Sequence, residues 1–214
     1  MTANRTADFF DNYASDFDSI YGNRGTFPNK IINRLFRKSM RIRYEMTIAG
    51  CQPIANKSVL DIGCGPGHYG IALARNGAAR VVGIDFSEKM IDLARQNAEA
   101  AGVSNKCKFI AGDFVDYSAD EKFDYSLAIG FMDYISNARE ALIKMLSLTD
   151  GRAFISFPIR EGFLAWQRNI RYKRKCDLYT YSRPQLDKLL PDLPATDVRI
   201  EKISRDYFVT ITVN

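Results

Sequence analysis

The stretch Val59-Leu60-Asp61-Ile62-Gly63-Cys64-Gly65-Pro66-Gly67-His68-Tyr69-Gly70 decides the fold of this chain. A short apolar run feeds a Gly-x-Gly-x-Gly turn, and Ile71-Ala72-Leu73-Ala74 continues as a helix. Strand, glycine turn and helix in that order open a nucleotide-type ligand site in α/β proteins. Glycine suits such a turn because it reaches backbone angles closed to other residues and lets a ligand lie against the main chain.

The next strand supports this reading. Val81-Val82-Gly83-Ile84-Asp85 is an apolar run that ends in a carboxylate 22 residues after Gly63. A carboxylate at the tip of a second strand is placed to accept hydrogen bonds from both hydroxyls of a ribose. The dinucleotide fingerprint places its third glycine three positions after the second. That position is His68 here, and the glycine stands at Gly67 instead. No Gly-Lys-Ser/Thr follows, which excludes a triphosphate loop. The spacing therefore favours an adenosine ligand without a pyrophosphate.

Asp61 to Gly67 together with Asp85 resembles the S-adenosylmethionine (SAM) site of the class I methyltransferases. The resemblance continues in chain order through Gly112-Asp113-Phe114 at the end of a third strand. A fourth strand, Phe123-Asp124-Tyr125-Ser126-Leu127-Ala128-Ile129-Gly130, and a fifth, Gly151-Arg152-Ala153-Phe154-Ile155-Ser156-Phe157-Pro158, follow. It spans about residues 57–158 and, more loosely, the C-terminal strands. The implied fold is α/β, a doubly wound and mostly parallel seven-stranded sheet. The implied ligands are SAM and its product, S-adenosylhomocysteine (SAH).

The resemblance also implies roles for particular residues. Gly63, Cys64, Gly65 and Gly67 would pass under the methionine and ribose, and Asp85 would grip the ribose. Phe86 and Met90 would flank the adenine, Gly112 and Asp113 would meet its edge, and Phe114 its face. Asp61 would be a buried carboxylate that orders the turn or reaches the methionine amine through water. Ile129, Gly130 and Phe131 end the fourth strand beside the transferring methyl. Asp133 and Tyr134 follow as the polar residues for proton handling or acceptor orientation, with a loop cap and cofactor packing as the plain alternatives. His68 is the one histidine in the chain and so the one imidazole base available.

A chain of 214 residues and 24.3 kDa is expected to form one domain with a substantial core. Its 46% hydrophobic and 26% charged residues are ordinary for a globular protein. No apolar run reaches the ~20 residues of a membrane span, and the first residues lack a signal-peptide core. The expected location is cytoplasmic. The cysteines Cys51, Cys64, Cys107 and Cys176 form no Cys-x-x-Cys, so reduced thiols and no metal site are expected. The net charge of +5 gathers at Lys30, Arg34, Arg37, Lys38, Arg41 and Arg43 and again at Arg168, Arg171, Lys173, Arg174 and Lys175. No RNA-binding signature accompanies either cluster, so no nucleic-acid partner is expected. Peripheral membrane contact and a monomer or a homodimer are all compatible with this composition.

Four stretches divide the chain. Residues 1–50 read as an N-terminal helical lid, with aromatic residues at helical spacing over 7–20 and Tyr13 and Tyr21 as the residues reaching the cofactor. Pro28 opens a second helix to about Ala49, whose arginines read as a solvated face. Residues 57–158 are the SAM-binding core. Within it, helices are expected over Tyr69–Asn76, Ser87–Ala101 and Asn137–Leu148, and strands over Arg80–Asp85, Lys106–Ala111, Tyr125–Gly130 and Ala153–Phe157. Residues 159–181 are a candidate cap over the acceptor, with Trp166 on an apolar face and Arg168 and Arg171 on a cationic one. Residues 182–214 hold a helix opened by a Ser182–Gln185 capping box and two closing strands, Val198–Ile203 and Tyr207–Val213. A surface helix with a merely solvated basic face is the plain alternative for the cap.

The expected activity is transfer of a methyl group from SAM to an oxygen, or a nitrogen, of a small-molecule acceptor. The segment Gly130-Phe131-Met132-Asp133-Tyr134-Ile135 lacks the Asn/Asp-Pro-Pro-Tyr/Phe signature of amino-methyltransferases acting on DNA or protein glutamine. The C-terminal block loosely resembles methyltransferases acting on natural products, sugars, lipid-linked intermediates or the magnesium porphyrin ester. The basic clusters mildly favour an anionic acceptor. An aminosugar-type N-methyltransferase and a non-catalytic SAM-binding partner subunit are the alternatives.

Overall fold

The computed structural model describes residues 27–162 and 177–213, with side chains from residue 38 onward. Tyr13, Tyr21, Trp166, Arg168, Arg171 and most of the candidate cap lie outside the described residues. The described chain runs α1 (Phe27–Gly50), β1 (Ser58–Ile62), α2 (His68–Arg75), β2 (Arg80–Asp85), α3 (Glu88–Ala100) and β3 (Cys107–Ala111). A single 3₁₀ turn (Phe114–Asp116) precedes β4 (Phe123–Ala128), α4 (Ala138–Ser147) and β5 (Thr149–Pro158). Then come α5 (Arg183–Leu189), β6 (Asp197–Ile203) and β7 (Asp206–Thr212).

The strands form one seven-stranded sheet in the order β3-β2-β1-β4-β5-β7-β6. β1 to β5 are parallel, and β7 lies antiparallel to both β5 and β6. The chain reverses its direction of travel across the sheet between β1 and β4. Carboxyl ends diverge at such a switch point and leave a crevice there.

Both faces of the sheet are covered, which is why its central strands read as nearly continuous apolar runs. Alternate residues serve alternate layers. Leu60, Ile62, Val82, Ile155 and Phe157 join the layer that holds Leu142 and Met145 of α4 and Leu186 of α5. Val59, Val81, Leu127 and Phe154 join the layer that holds Leu73 of α2 and Ile91 and Ala94 of α3.

The helix boundaries follow from their caps, those at Ser87 and Ser182 expected from the sequence. Ser87 Oγ accepts the Met90 N–H at 3.2 Å, and Asn137 Oδ1 accepts the Glu140 N–H at 3.4 Å. Gln185 Oε1 reaches back to the Ser182 N–H at 2.9 Å. The fifth strand is longer than the apolar run alone indicates, Thr149–Pro158 rather than Ala153–Phe157, because Thr149 pairs with Phe123 of β4 and β7 pairs with the strand from Arg152 to Pro158. The fourth starts earlier and stops at Ala128, since Gly130 turns out of the sheet at φ +79°.

One expectation about α1 is corrected. Arg41 is exposed and pairs with Glu45 on the helix surface, as a solvated face requires. Arg43 is not on that face. Its guanidinium, 11% exposed, lies 3.7 Å from the carboxylate of Asp206, which is 1% exposed, and its Nη1 donates to Ser156 Oγ at 3.3 Å. Ser39 Oγ donates to the same Asp206 oxygen at 2.7 Å, and Ser156 Oγ accepts the Gly130 N–H at 2.7 Å. This buried network joins α1, β5 and β7 to the peptide just beyond β4. Periodicity cannot reveal it, because Asp206 is 163 residues away from Arg43 in sequence.

Removing one partner of a buried ion pair leaves the other charge uncompensated, at a cost of about 3–5 kcal/mol. Asp206→Ala is therefore expected to lower unfolding free energy by about that amount in urea titrations. A loss below about 1 kcal/mol would show that the network contributes no more than a surface pair does.

Candidate active site

The site begins with the turn between β1 and α2. The Gly63 and Cys64 N–H groups both donate to the Ile84 carbonyl, at 2.8 and 3.0 Å, which folds the turn onto the end of β2. Gly63 sits at φ +66°, and a Cβ there would fall 2.9 Å from the Phe131 ring. Both conditions require glycine. Asp85 then ties two turns together. Its Oδ2 accepts the Gly65 N–H at 2.9 Å and its Oδ1 accepts the Ser87 N–H at 3.0 Å. A Cβ on Gly65 or on Gly112 would meet no protein atom within 4 Å, so the space on that side of both residues is open.

Around this turn lies a cleft of about 240 Å³. Gly63, Asp85, Phe86, Gly112, Asp113, Phe114, Phe131 and Tyr134, all singled out from the sequence, line it. Phe114 meets Phe131 edge to face at 6.1 Å, which makes an aromatic wall. Asp113 also accepts the Val115 N–H at 2.9 Å and so caps the 3₁₀ turn.

Other expected residues stand behind or beside the cleft rather than in its lining. Met90, expected to flank the adenine, is 1% exposed and lies on the buried face of α3. Cys64 is buried, and Gly67 caps α2 in the left-handed conformation. Ile129 packs on the α2/α3 layer, and Gly130 belongs to the Arg43–Ser156 network. His68 opens α2 and does not line the cleft. Asp133 is buried, and its carbonyl accepts the Tyr179 N–H at 2.8 Å.

Sequence reasoning missed the cleft's second wall. Ile135, Ser136, Asn137 and Glu140, from the β4–α4 connection and the start of α4, line it opposite the glycine turn. Asp177 and Tyr179 close one side. They arrive there because residues 177–182 run back across the carboxyl ends of the strands. The Tyr181 N–H donates to the Pro158 carbonyl at 2.8 Å, and the Arg160 N–H donates to the Tyr181 carbonyl at 2.9 Å. The string Asp177-Leu178-Tyr179-Thr180-Tyr181 carried the signal, but its β-like docking depends on strand ends distant in sequence.

The cleft is electrostatically one-sided. Asp85, Asp113, Glu140 and Asp177 line it, and no lysine or arginine does among the described residues. Just behind it, burial raises the Asp61 carboxyl to about 7 despite a 3.2 Å hydrogen bond from the Gly70 N–H, and nearby Asp85 adds to the rise. Burial likewise pushes the Cys64 thiol far above its ordinary value. The Tyr181 hydroxyl rises to about 12, through burial first and then the charge of Asp133.

A family model described as a methyltransferase domain matches residues 54–176, from just before β1 to beyond β5. That span is more than half of the chain. The chain belongs to the methyltransferase domain family. Over 162 residues, 73% of its length, it is 26% identical to 24-methylenesterol C-methyltransferase 2 of Arabidopsis thaliana. It is also 33% identical over 88 residues, 41% of its length, to a probable fatty acid methyltransferase of Pseudomonas putida. The chain spans less than half the length of these curated relatives, 45% and 22% respectively. Among solved structures, the magnesium protoporphyrin IX methyltransferase of Synechocystis PCC 6803 with bound SAH superposes with a TM-score of 0.78. That alignment covers 98% of both chains at 22% identity, so this chain has the class I methyltransferase fold, on which that neighbour binds SAM and SAH.

The residues present fit that cofactor. SAM carries a sulfonium and an ammonium, and a cleft with four carboxylates and no cation among its described lining residues favours such a ligand. The open space beside Gly112, which lines the cleft, gives a flat adenosine room to approach the main chain.

Asp61 provides a test of the electrostatics. The unfolded chain releases this proton near the ordinary carboxyl value of 3.8, and the folded chain holds it up to about 7. Folding stability from this group therefore falls as pH rises across that window. Asp61→Asn is expected to gain in melting temperature relative to wild type as pH rises from about 5 to 8. A difference that stays flat across that range would place the Asp61 carboxyl at its ordinary value.

Proposed function

We propose that this protein transfers a methyl group from SAM to an oxygen of a small-molecule acceptor and releases SAH. The observation that carries the proposal is the carboxylate-lined cleft, without a lysine or arginine among its described lining residues, set at the β1/β4 crossover beside Gly63 and Gly112. Bound SAM supplies a methyl group already activated by its sulfonium, so alignment of the nucleophile provides much of the rate enhancement.

The chain's own residues divide the remaining work. Asp85 would accept from the ribose hydroxyls at the tip of β2, and Asp113 and Phe114 would meet the edge and face of the adenine. Gly63 and Phe131 would bound the methionine end. Tyr134 lines the cleft, where its hydroxyl can orient an acceptor oxygen or share its proton. Asp133 works as a positioning residue, since its buried peptide holds Tyr179, and through it the segment 177–182, across the cleft mouth. Oxygen is the proposed acceptor atom because the wall presents a phenol and the segment after β4 lacks the Asn/Asp-Pro-Pro-Tyr/Phe signature. Carbon is the second reading, supported by the 26% identity to a sterol C-methyltransferase over 73% of the chain.

The test uses SAM labelled with ¹³C at the methyl group, incubated with fractionated small-molecule extract. SAH formation with a methoxy carbon in the product is expected; a new C–CH₃ signal would select the second reading. No SAH above the blank in any fraction would leave a SAM binder rather than an enzyme. On an active fraction, Tyr134→Phe is expected to lower kcat by about a hundredfold with SAH affinity nearly unchanged, if the hydroxyl handles a proton. Equal loss of both would make Tyr134 a wall of the cofactor site.

A further inference from the structure

Beside the cleft lies a second, wider depression of about 530 Å³. The two share Ser136, Asn137 and Tyr179, so they adjoin along a common wall. Their charges are opposite. Arg139 of α4, Arg160 just beyond β5 and Lys188 of α5 line the second depression, and no carboxylate does among the described residues.

These cations are placed differently from most on this surface. Arg183 pairs with Asp187 at 2.8 Å, Arg199 with Asp197 at 2.8 Å and Arg41 with Glu45 at 2.7 Å. Arg139 instead donates to the Leu189 and Pro191 carbonyls, at 3.1 and 3.2 Å, and Arg160 to the Thr180 carbonyl at 3.3 Å. Carbonyls hold these side chains in place without neutralising them. Among the described residues no carboxylate stands within ion-pair distance of any of the three. Tyr179, Tyr181, Leu178 and Leu189 supply apolar surface between the charges. Phe157 holds the Tyr181 ring edge to face at 4.9 Å.

We propose that this groove, between Arg139, Arg160 and Lys188, is the acceptor subsite and that it selects a flat apolar acceptor bearing an oxyanion, carboxylate or phosphate. The inference rests on the methyl-transfer reading for the adjoining cleft. A cationic donor and an anionic acceptor then occupy neighbouring compartments of opposite sign. The shared wall at Ser136, Asn137 and Tyr179 is where the acceptor's reacting atom meets the methyl group. Guanidinium groups suit either anion because they offer paired N–H donors to two oxygens. The cationic residues expected from sequence for this task, Arg168 and Arg171, are different ones.

The test titrates SAH-saturated protein with three probes of one shape: naphthoate, naphthyl phosphate and naphthylmethanol. Both anions are expected to bind at least about tenfold more tightly than the neutral alcohol, from charge-assisted hydrogen bonds. Tighter naphthoate assigns the subsite to carboxylates, and tighter naphthyl phosphate assigns it to phosphates. The double variant Arg160→Gln/Lys188→Gln should lose about tenfold in anion affinity while the alcohol and SAH bind as in wild type. Both residues are exposed, and Arg139, whose bonds tie α4 to the end of α5, is left in place. The proposal is overturned if neither anion binds, if the alcohol binds as tightly as the anions, or if the double variant keeps full anion affinity. SAH affinity, measured separately by calorimetry, reports on the cofactor cleft alone. Its absence in wild type would refute the methyl-transfer reading, whereas its retention beside failed anion binding would refute only the subsite.

Discussion

The carboxylate of Asp85 holds together the two turns from which the cleft is built. One oxygen fixes the glycine turn through Gly65, and the other fixes the start of α3 through Ser87. Without it, the glycine turn at Gly65 and the N-cap that presents Phe86 would have no common anchor. The turn needs that anchor because its glycines lose more conformational freedom on ordering than any other residue. Hydrogen bonds from Gly63 and Cys64 to the Ile84 carbonyl complete the attachment. The ligand-facing part of the site is thus fastened to β2, a strand buried on both faces.

A second layer of support comes from the far side of the sheet. Arg43, Asp206, Ser39 and Ser156 form a buried polar network that ends on the Gly130 peptide. That peptide is where the chain leaves β4 for the segment carrying Phe131 and Tyr134. The position of the Tyr134 wall therefore depends on a helix and a strand that contribute no described residue to the cleft lining. Charge is partitioned on the near side, with carboxylates in the cleft and cations in the adjoining groove. Such separation favours ligands of opposite sign in the two compartments and opposes their exchange.

Local features of the sequence account for most of the fold. Glycine spacing, apolar runs of five or six residues and the caps at Ser87, Asn137 and Ser182 each act within a few positions. The half of the cleft built from Gly63, Asp85, Asp113 and Phe114 was legible for the same reason, since each residue follows directly from a strand end. The other half was not. Tyr179 reaches the cleft through a bond to the Asp133 peptide, and Asp177 arrives with it. Arg43 reads as part of a surface charge cluster until its partner, Asp206, is brought alongside by β7. Met90 sits at helical spacing that suits either the cofactor or the core, and packing placed it in the core. Side chains whose roles depend on contacts distant in sequence carry no local mark of them.

The most direct measurement is a crystal structure of the protein with SAH. Adenosine density is expected over the glycine turn, with the ribose at Asp85, the adenine between Asp113 and Phe114, and the sulfur turned toward Phe131 and Tyr134. Density at another face of the sheet, or an adenine placed away from Asp85 and Phe114, would contradict the assignment of this cleft.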